Sequence, residues 1–217
     1  RALLNHPNCI NTQASKFTKD DVEALRVRFQ PASEDHVIPN EKVEEFPEQY
    51  VCPRINRNML GNSEFKGISE SRTDVLVDNL LDISGLDEWP LNISAQPQSK
   101  LYILNEPCVS ATPEFVINKE TISMVIAEDK SLKNVSPRND FGEMQIAGEI
   151  LACGDENIRE TGELFDQLDV GLPKKYSVAI KRWPGENKKR SGLDLADPDG
   201  RKTVLIALTK IRQFLLK

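Results

Sequence analysis

Pro113-Glu114-Phe115-Val116-Ile117-Asn118-Lys119-Glu120-Thr121-Ile122-Ser123-Met124-Val125-Ile126-Ala127-Glu128-Asp129-Lys130 is the stretch that decides how this chain folds. Glu114 to Ile117 predicts one strand. Ile122 to Glu128 predicts another, with the near-continuous apolar character of a central strand. The polar Asn118-Lys119-Glu120 between them predicts a turn. An antiparallel pair of this kind brings the start of one strand beside the end of the next. Glu128 and Lys130 are two apart and share a face of their strand, while Asp129 points to the other. The expectation is two carboxylates, Glu114 and Glu128, and one ammonium, Lys130, gathered at one end of a sheet.

Carboxylates held a few ångströms apart repel one another, and a divalent cation relieves that repulsion. Mg²⁺ and similar ions take oxygen ligands and are commonly held by one or two carboxylates plus a substrate phosphate. A lysine beside them can orient an attacking water and offset charge growing on phosphorus. These parts suit metal-assisted phosphodiester hydrolysis.

Working outward, Ser69 to Leu81 carries Leu76, Val77, Leu80 and Leu81 as a helical stripe, with Gly85 placed to end the helix. Lys100 to Leu104 predicts a first strand ahead of the hairpin. Gly142 to Ala152 predicts a helix ended by Gly154, Tyr176 to Lys181 a late strand, and Thr203 to Leu216 a final amphipathic helix. The fold class is therefore α/β, in the order helix, three strands, helix, strand, helix. Between Ile158 and Leu172 the pattern is too thin to place an element. Trp89-Pro90, after the first helix, reads as packing.

Residues 1–67 are expected to form an irregular N-terminal arm or appendage, and 68–217 the domain that carries the chemistry. Within the arm, Phe17 to Leu25 predicts a short helix with Thr18 as N-cap. Pro31, Pro39, Pro47 and Pro53 discourage anything longer. Glu41 to Glu48 places four glutamates around Val43 and Phe46, in a docking segment or a strap over the core.

The whole chain of 217 residues is long enough for one sizeable core. It has no run near the roughly 20 apolar residues of a membrane span, and its start lacks the apolar core of a signal peptide. The four cysteines, Cys9, Cys52, Cys108 and Cys153, lack zinc spacing and read as reduced and mostly buried. Two histidines, both before Pro39, argue against a histidine-based triad or zinc site in the main body. Twelve Lys/Arg face four acids from Lys174 to Lys217, so that stretch carries +8 and, the chain being −6, the remainder carries −14. The basic quarter reads either as a phosphate-binding face or as a solvated helix surface. Lys181, Arg182, Trp183, Lys188, Lys189 and Arg190 mix cations with an aromatic ring, a combination suited to phosphate contact with base stacking.

Pro113-Glu114, thirteen residues, then Glu128-Asp129-Lys130 resembles the signature of the PD-(D/E)xK nucleases. The order of elements resembles that family's restriction-endonuclease-like core. The resemblance implies Glu114 and Glu128 as metal ligands and Lys130 as the water-activating residue, with Mg²⁺ or Mn²⁺ as cofactor. It adds Glu70 on the preceding helix and Gln145 on the following one as catalytic partners. Read without it, Glu70 is a first-turn carboxylate at a helix dipole, Gln145 an exposed helix residue, and Glu143 and Glu149 surface charges. The family usually has aspartate where this chain has Glu114.

A narrower resemblance covers residues 69–217. Ser71-Arg72-Thr73-Asp74, Glu128-Asp129-Lys130, Gly142 to Ala152 and Ile180-Lys181-Arg182-Trp183-Pro184-Gly185 are similar to the C-terminal nuclease-type domain of fungal Crinkler proteins. That implies an effector or toxin that cleaves DNA, secreted and then acting in a host nucleus or otherwise nuclear. A header domain is expected upstream, with host nuclear proteins as further partners and no membrane. The alternative is a catalytically degenerate module that binds nucleic acid or a host protein without cleavage.

Overall fold

The computed structural model describes residues 12–51, 70–127, 142–161, 177–183, 193, 195 and 197–217, and not the side chains of 12, 70–73, 160 and 161. In chain order the elements are β1 (Thr12–Gln13), a 3-10 turn (Ala14–Lys16), α1 (Lys19–Ala24), β2 (Val27–Pro31), α2 (Glu70–Ile83), β3 (Leu91–Ala95), β4 (Ser99–Ile103), β5 (Glu106–Ala111), β6 (Phe115–Lys119), β7 (Ile122–Ala127), α3 (Glu143–Thr161), β8 (Val178–Arg182) and α4 (Pro198–Leu215). Two further 3-10 turns lie at Glu34–His36 and Glu48–Tyr50. The class is α/β, as expected, but five described strands rather than the expected three lie between α2 and α3.

The described strands form three small sheets, ordered β1-β5-β4, β2-β8 and β3-β6-β7. β1 joins β5 in parallel, and β2 runs parallel to β8 with Val27 opposite Val178 and Pro31 opposite Arg182. The other pairings are antiparallel. β4 turns into β5 through Leu104 and Asn105, both in the left-handed region at φ 54° and 62°, the two positive angles a type I′ hairpin turn requires.

Residues 12–31, expected in an irregular arm, supply structure to the main body. Thr18 caps α1 as predicted. Its backbone N–H donates to Asp21 Oδ2 at 2.8 Å, and the Asp21 N–H donates back to Thr18 Oγ1 at 3.4 Å, which satisfies two otherwise orphaned donors. Ala14, Phe17, Val22, Leu25 and Val27 then bury in one cluster with Leu101, Val109, Ala111, Ala147 and Ala152. Gly148 allows this: a Cβ there would stand 3.0 Å from the Ala14 Cβ and 3.2 Å from the Phe17 ring. The local proline density carries no information about these long-range contacts.

A second cluster lies on β3-β6-β7. Leu91, Phe115 and Ile117, with Ile93, Val125 and Ala127, face Leu81, Leu86 and Leu215. Alternation puts these strand residues on one face, and α2 and α4 cover it.

α3 lies against the β1-β5-β4 and β3-β6-β7 sheets. It runs through Gly154 to Thr161, past the expected stop. A mid-helix glycine costs about 1 kcal/mol relative to alanine, and the residues just after it offset that through tertiary bonds. Glu156 Oε1 accepts the Lys100 N–H at 3.0 Å and Asp155 Oδ2 the Tyr102 N–H at 2.9 Å. Both donors lie on the outer edge of β4. Asn157 does the same for Ser123 on β7. The N-terminus of α4 is fixed by the Asp197 carboxylate accepting from Gly200 N–H and by Pro198 in the first turn.

Candidate active site

β6 and β7 form the expected hairpin. Phe115 pairs with Ala127 and Ile117 with Val125, a bulge follows, and Lys119 pairs with Ile122. The turn falls at Glu120-Thr121, with Glu120 at φ 58°. Glu114 directly precedes the terminal pair. By alternation it stands on the side of Val116, opposite the face that α2 and α4 cover. At that same end of the ladder the chain leaves β7 toward Glu128, Asp129 and Lys130, which lie outside the described residues.

Glu114 is half-buried, and Gln96 meets it at two points. Gln96 Nε2 donates to Glu114 Oε2 at 3.1 Å, and the Gln96 N–H donates to the Glu114 carbonyl at 2.9 Å. Gln96 follows β3 in a left-handed conformation at φ 50°. No periodicity in the sequence points to it. A carboxylate oriented by an amide is a hard oxygen donor, the type that Mg²⁺ or Mn²⁺ takes. Among the described residues no group of three or more His, Cys, Asp or Glu side chains is placed to hold a metal. Of the two expected ligands, one is therefore in view.

Glu70 is the first residue of α2, with its side chain outside the description. Gln145 lies in the first turns of α3, where Nε2 donates to Glu149 Oε1 at 2.7 Å. Glu149, expected as a surface charge, is 1% exposed. Its spacing four residues after Gln145 is the signal that could have linked them, since such pairs meet on a helix face. Glu143, the other expected surface charge, is only partly exposed and forms an ion pair with Arg182.

The expected nucleic-acid face is divided. Lys181 is exposed on β8, Arg182 is engaged by Glu143, and Trp183 is half-buried. Lys188, Lys189 and Arg190 lie outside the described residues. Further along the basic quarter, Lys210 pairs with Glu34 at 2.7 Å, Lys217 with Glu41 at 2.7 Å, and Arg212 with Glu88. Arg201 is buried and donates to the carbonyls of Leu195 and Val51. Four of the twelve cations of this quarter, Arg182, Lys210, Arg212 and Lys217, thus meet carboxylates among the described residues. Trp89, expected in packing, is 81% exposed. Cys108 and Cys153 are free and buried, as expected, and the other two cysteines lie outside the described residues. No described helix is long and apolar enough to cross a membrane.

No family model, curated protein or solved structure matches this chain.

Proposed function

We propose that the chain is a divalent-metal-dependent DNA endonuclease domain of the PD-(D/E)xK type, acting in a nucleus as the effector domain of a Crinkler-like protein. The β6–β7 register carries this reading. It sets Glu114 at the end of the ladder from which the chain runs on into Glu128 and Lys130. Glu114 and Glu128 would hold Mg²⁺ or Mn²⁺, which when bound acidifies a coordinated water and draws charge from the scissile phosphate. Gln96 orients Glu114. Lys130 orients the attacking water and offers a proton-bearing cation to the phosphate oxygens. Gln145 positions the DNA backbone or the lysine, and Glu70 assists at the metal or the water.

A second reading is a catalytically degenerate module that binds nucleic acid or a host protein without cleavage. The ion pairs that engage Arg182, Lys210, Arg212 and Lys217 favour it, because they leave less unpaired cation for a phosphate backbone.

Nicking of supercoiled plasmid separates the two. The chain and its Lys130→Ala variant are compared in Mg²⁺, in Mn²⁺ and in chelator. Metal-dependent cleavage that disappears in the variant is the expected result. No cleavage by folded protein in either metal overturns the nuclease reading in favour of the binding module.

A further inference from the structure

The β1-β5-β4 sheet has one face in the first core cluster, and on the other Gln13, Lys100 and Ser110 are exposed or half-buried. Leu101, Val109 and Ala111 point into the core, each at most 2% exposed. The alternate residues point the other way. The register sets Gln13 beside Ser110 and Ser110 beside Lys100, so an amide, a hydroxyl and an ammonium form one row across three strands. Neighbouring strands lie about 4.8 Å apart, close enough for adjacent groups in the row to share one ligand. The Lys100 N–H points out of the sheet to Glu156. Lys100 and Ser110 therefore form a non-hydrogen-bonded pair, the kind whose side chains approach most closely.

This row floors an open cleft of about 480 Å³. Lys16, from the 3-10 turn after β1, borders it, as do Gln98 and Thr112. Among the described residues, no aspartate or glutamate lines it. That is notable in a chain of net charge −6. Lys16 and Lys100 are exposed, and neither ammonium has an ion pair or hydrogen bond among the described residues. Arg182, Lys210, Arg212 and Lys217 are, by contrast, each paired with a carboxylate.

We infer that this cleft is a phosphate-binding site in which Lys16 and Lys100 clamp the anion and Gln13, Ser110 and Thr112 complete its hydrogen bonding. Two cations with no carboxylate among the described lining residues create a local positive potential that favours an anion. Ammonium groups bind phosphate oxygens as point charges without demanding one orientation. The volume suits a polyphosphate or a short run of nucleic-acid backbone better than a single phosphate. The inference does not depend on metal chemistry at Glu114, although Thr112 and Gln98 are each two residues from the Glu114–Gln96 pair.

The test is binding in the presence of chelator, which removes cleavage from the readout. Tripolyphosphate is followed by calorimetry and a short fluorescein-labelled oligonucleotide by anisotropy, with the intact chain and with Lys16→Gln, Lys100→Gln and the double variant. Both lysines are exposed, so the variants should fold, and their melting curves check this. Each single change is expected to weaken binding about tenfold, the size of one lost charged hydrogen bond. It should lower the salt dependence of oligonucleotide binding by about one phosphate contact. Lys→Arg at either position should restore binding. If the backbone of a nucleic acid is the source of the phosphate, both probes bind and tripolyphosphate competes with the oligonucleotide. If a small phosphorylated compound is the source, only tripolyphosphate depends on the two lysines. Absence of binding to the intact chain, or equal binding of both probes to the double variant, overturns the site while leaving the plasmid-nicking result to stand or fall separately.

Discussion

Asn157 holds Ser123 by both of its backbone groups. Its Oδ1 accepts the Ser123 N–H at 2.9 Å, and its Nδ2 donates to the Ser123 carbonyl at 2.7 Å. Ser123 lies on β7, an edge strand among the described residues, whose outward groups would otherwise need another partner. With Asp155 and Glu156 on the β4 edge, three consecutive residues of α3 tie two sheets to one helix. Asn157→Ala removes both bonds at a partly buried site and should cost about 1–3 kcal/mol. The expected result is a lower urea midpoint at unchanged slope. An unchanged midpoint would mean that α3 does not hold β7 through this residue.

Gly85 and Arg212 meet so closely that neither position is independent. Gly85 sits at φ 69°, and a Cβ there would stand 2.6 Å from Arg212 Nε. That nitrogen also donates to the Gly85 carbonyl at 2.9 Å. Gly85→Ala therefore meets left-handed strain and a steric clash together, with an expected loss of about 1–3 kcal/mol. Arg212→Ala on the same background should recover part of the loss, because it removes the clash and leaves the strain. A double-mutant cycle by chemical denaturation reads the coupling, and strictly additive losses would show that the contact is not formed.

What could be read from the sequence was local. The Thr18 cap, the α2 and α4 stripes and the apolar run of β7 each declare themselves within a dozen residues, through side-chain oxygens and periodicity. β3 and β5 do not, since Asn92, Ser94, Pro107 and Ser110 interrupt their apolar pattern. The pairing of β2 with β8 links positions about 150 residues apart, and no local signal encodes it. The stop expected at Gly154 fails for the same reason: bonds from Asp155, Glu156 and Asn157 to distant strands outweigh a weak propensity. The candidate site follows this division. The hairpin beside Glu114 was legible, whereas Gln96 and the burial of Glu149 depend on tertiary neighbours. The charge imbalance along the chain does not reveal which cations are paired in space: Lys210 and Lys217 meet their carboxylates at Glu34 and Glu41, each 176 positions away.

Burial lifts the Cys153 thiol above its ordinary value of 9.0; the Ser99 hydroxyl opposes the shift, and the charges of Glu156 and Glu149 add to it. The fold thus prefers the neutral thiol. That contribution is fully present below pH 9.0 and is lost as pH rises through the raised value in the folded protein. Stability should fall more steeply above pH 9 in the parent chain than in Cys153→Ala. Lysines and tyrosines titrate in the same range, so the difference between the two proteins, not either curve alone, carries the result. Iodoacetamide should label Cys153 far more slowly in the native chain than in urea, because the thiolate is the reactive form. Equal labelling rates would contradict the buried, protonated thiol.

Gln96 is the residue through which the proposed metal chemistry can be adjusted without removing a ligand. Its amide donates to Glu114 Oε2, and its backbone fixes the Glu114 carbonyl. Gln96→Ala deletes the first contact and keeps the second. Outer partners of this kind typically change metal affinity or activity by about 10–100-fold when removed. The expected result is a rise in the Mg²⁺ or Mn²⁺ concentration needed for half-maximal plasmid nicking, with cleavage recovering at saturating metal. Glu114→Gln should instead abolish cleavage at every concentration, since an amide cannot replace the carboxylate charge. Glu114→Asp shortens the arm while keeping the charge, so retained cleavage there would show that the register of the β6–β7 hairpin accommodates either acid. If Gln96→Ala leaves the metal dependence unchanged while Glu114→Gln destroys activity, the amide does not position the ligand. If neither change affects nicking, Glu114 is not at the metal at all.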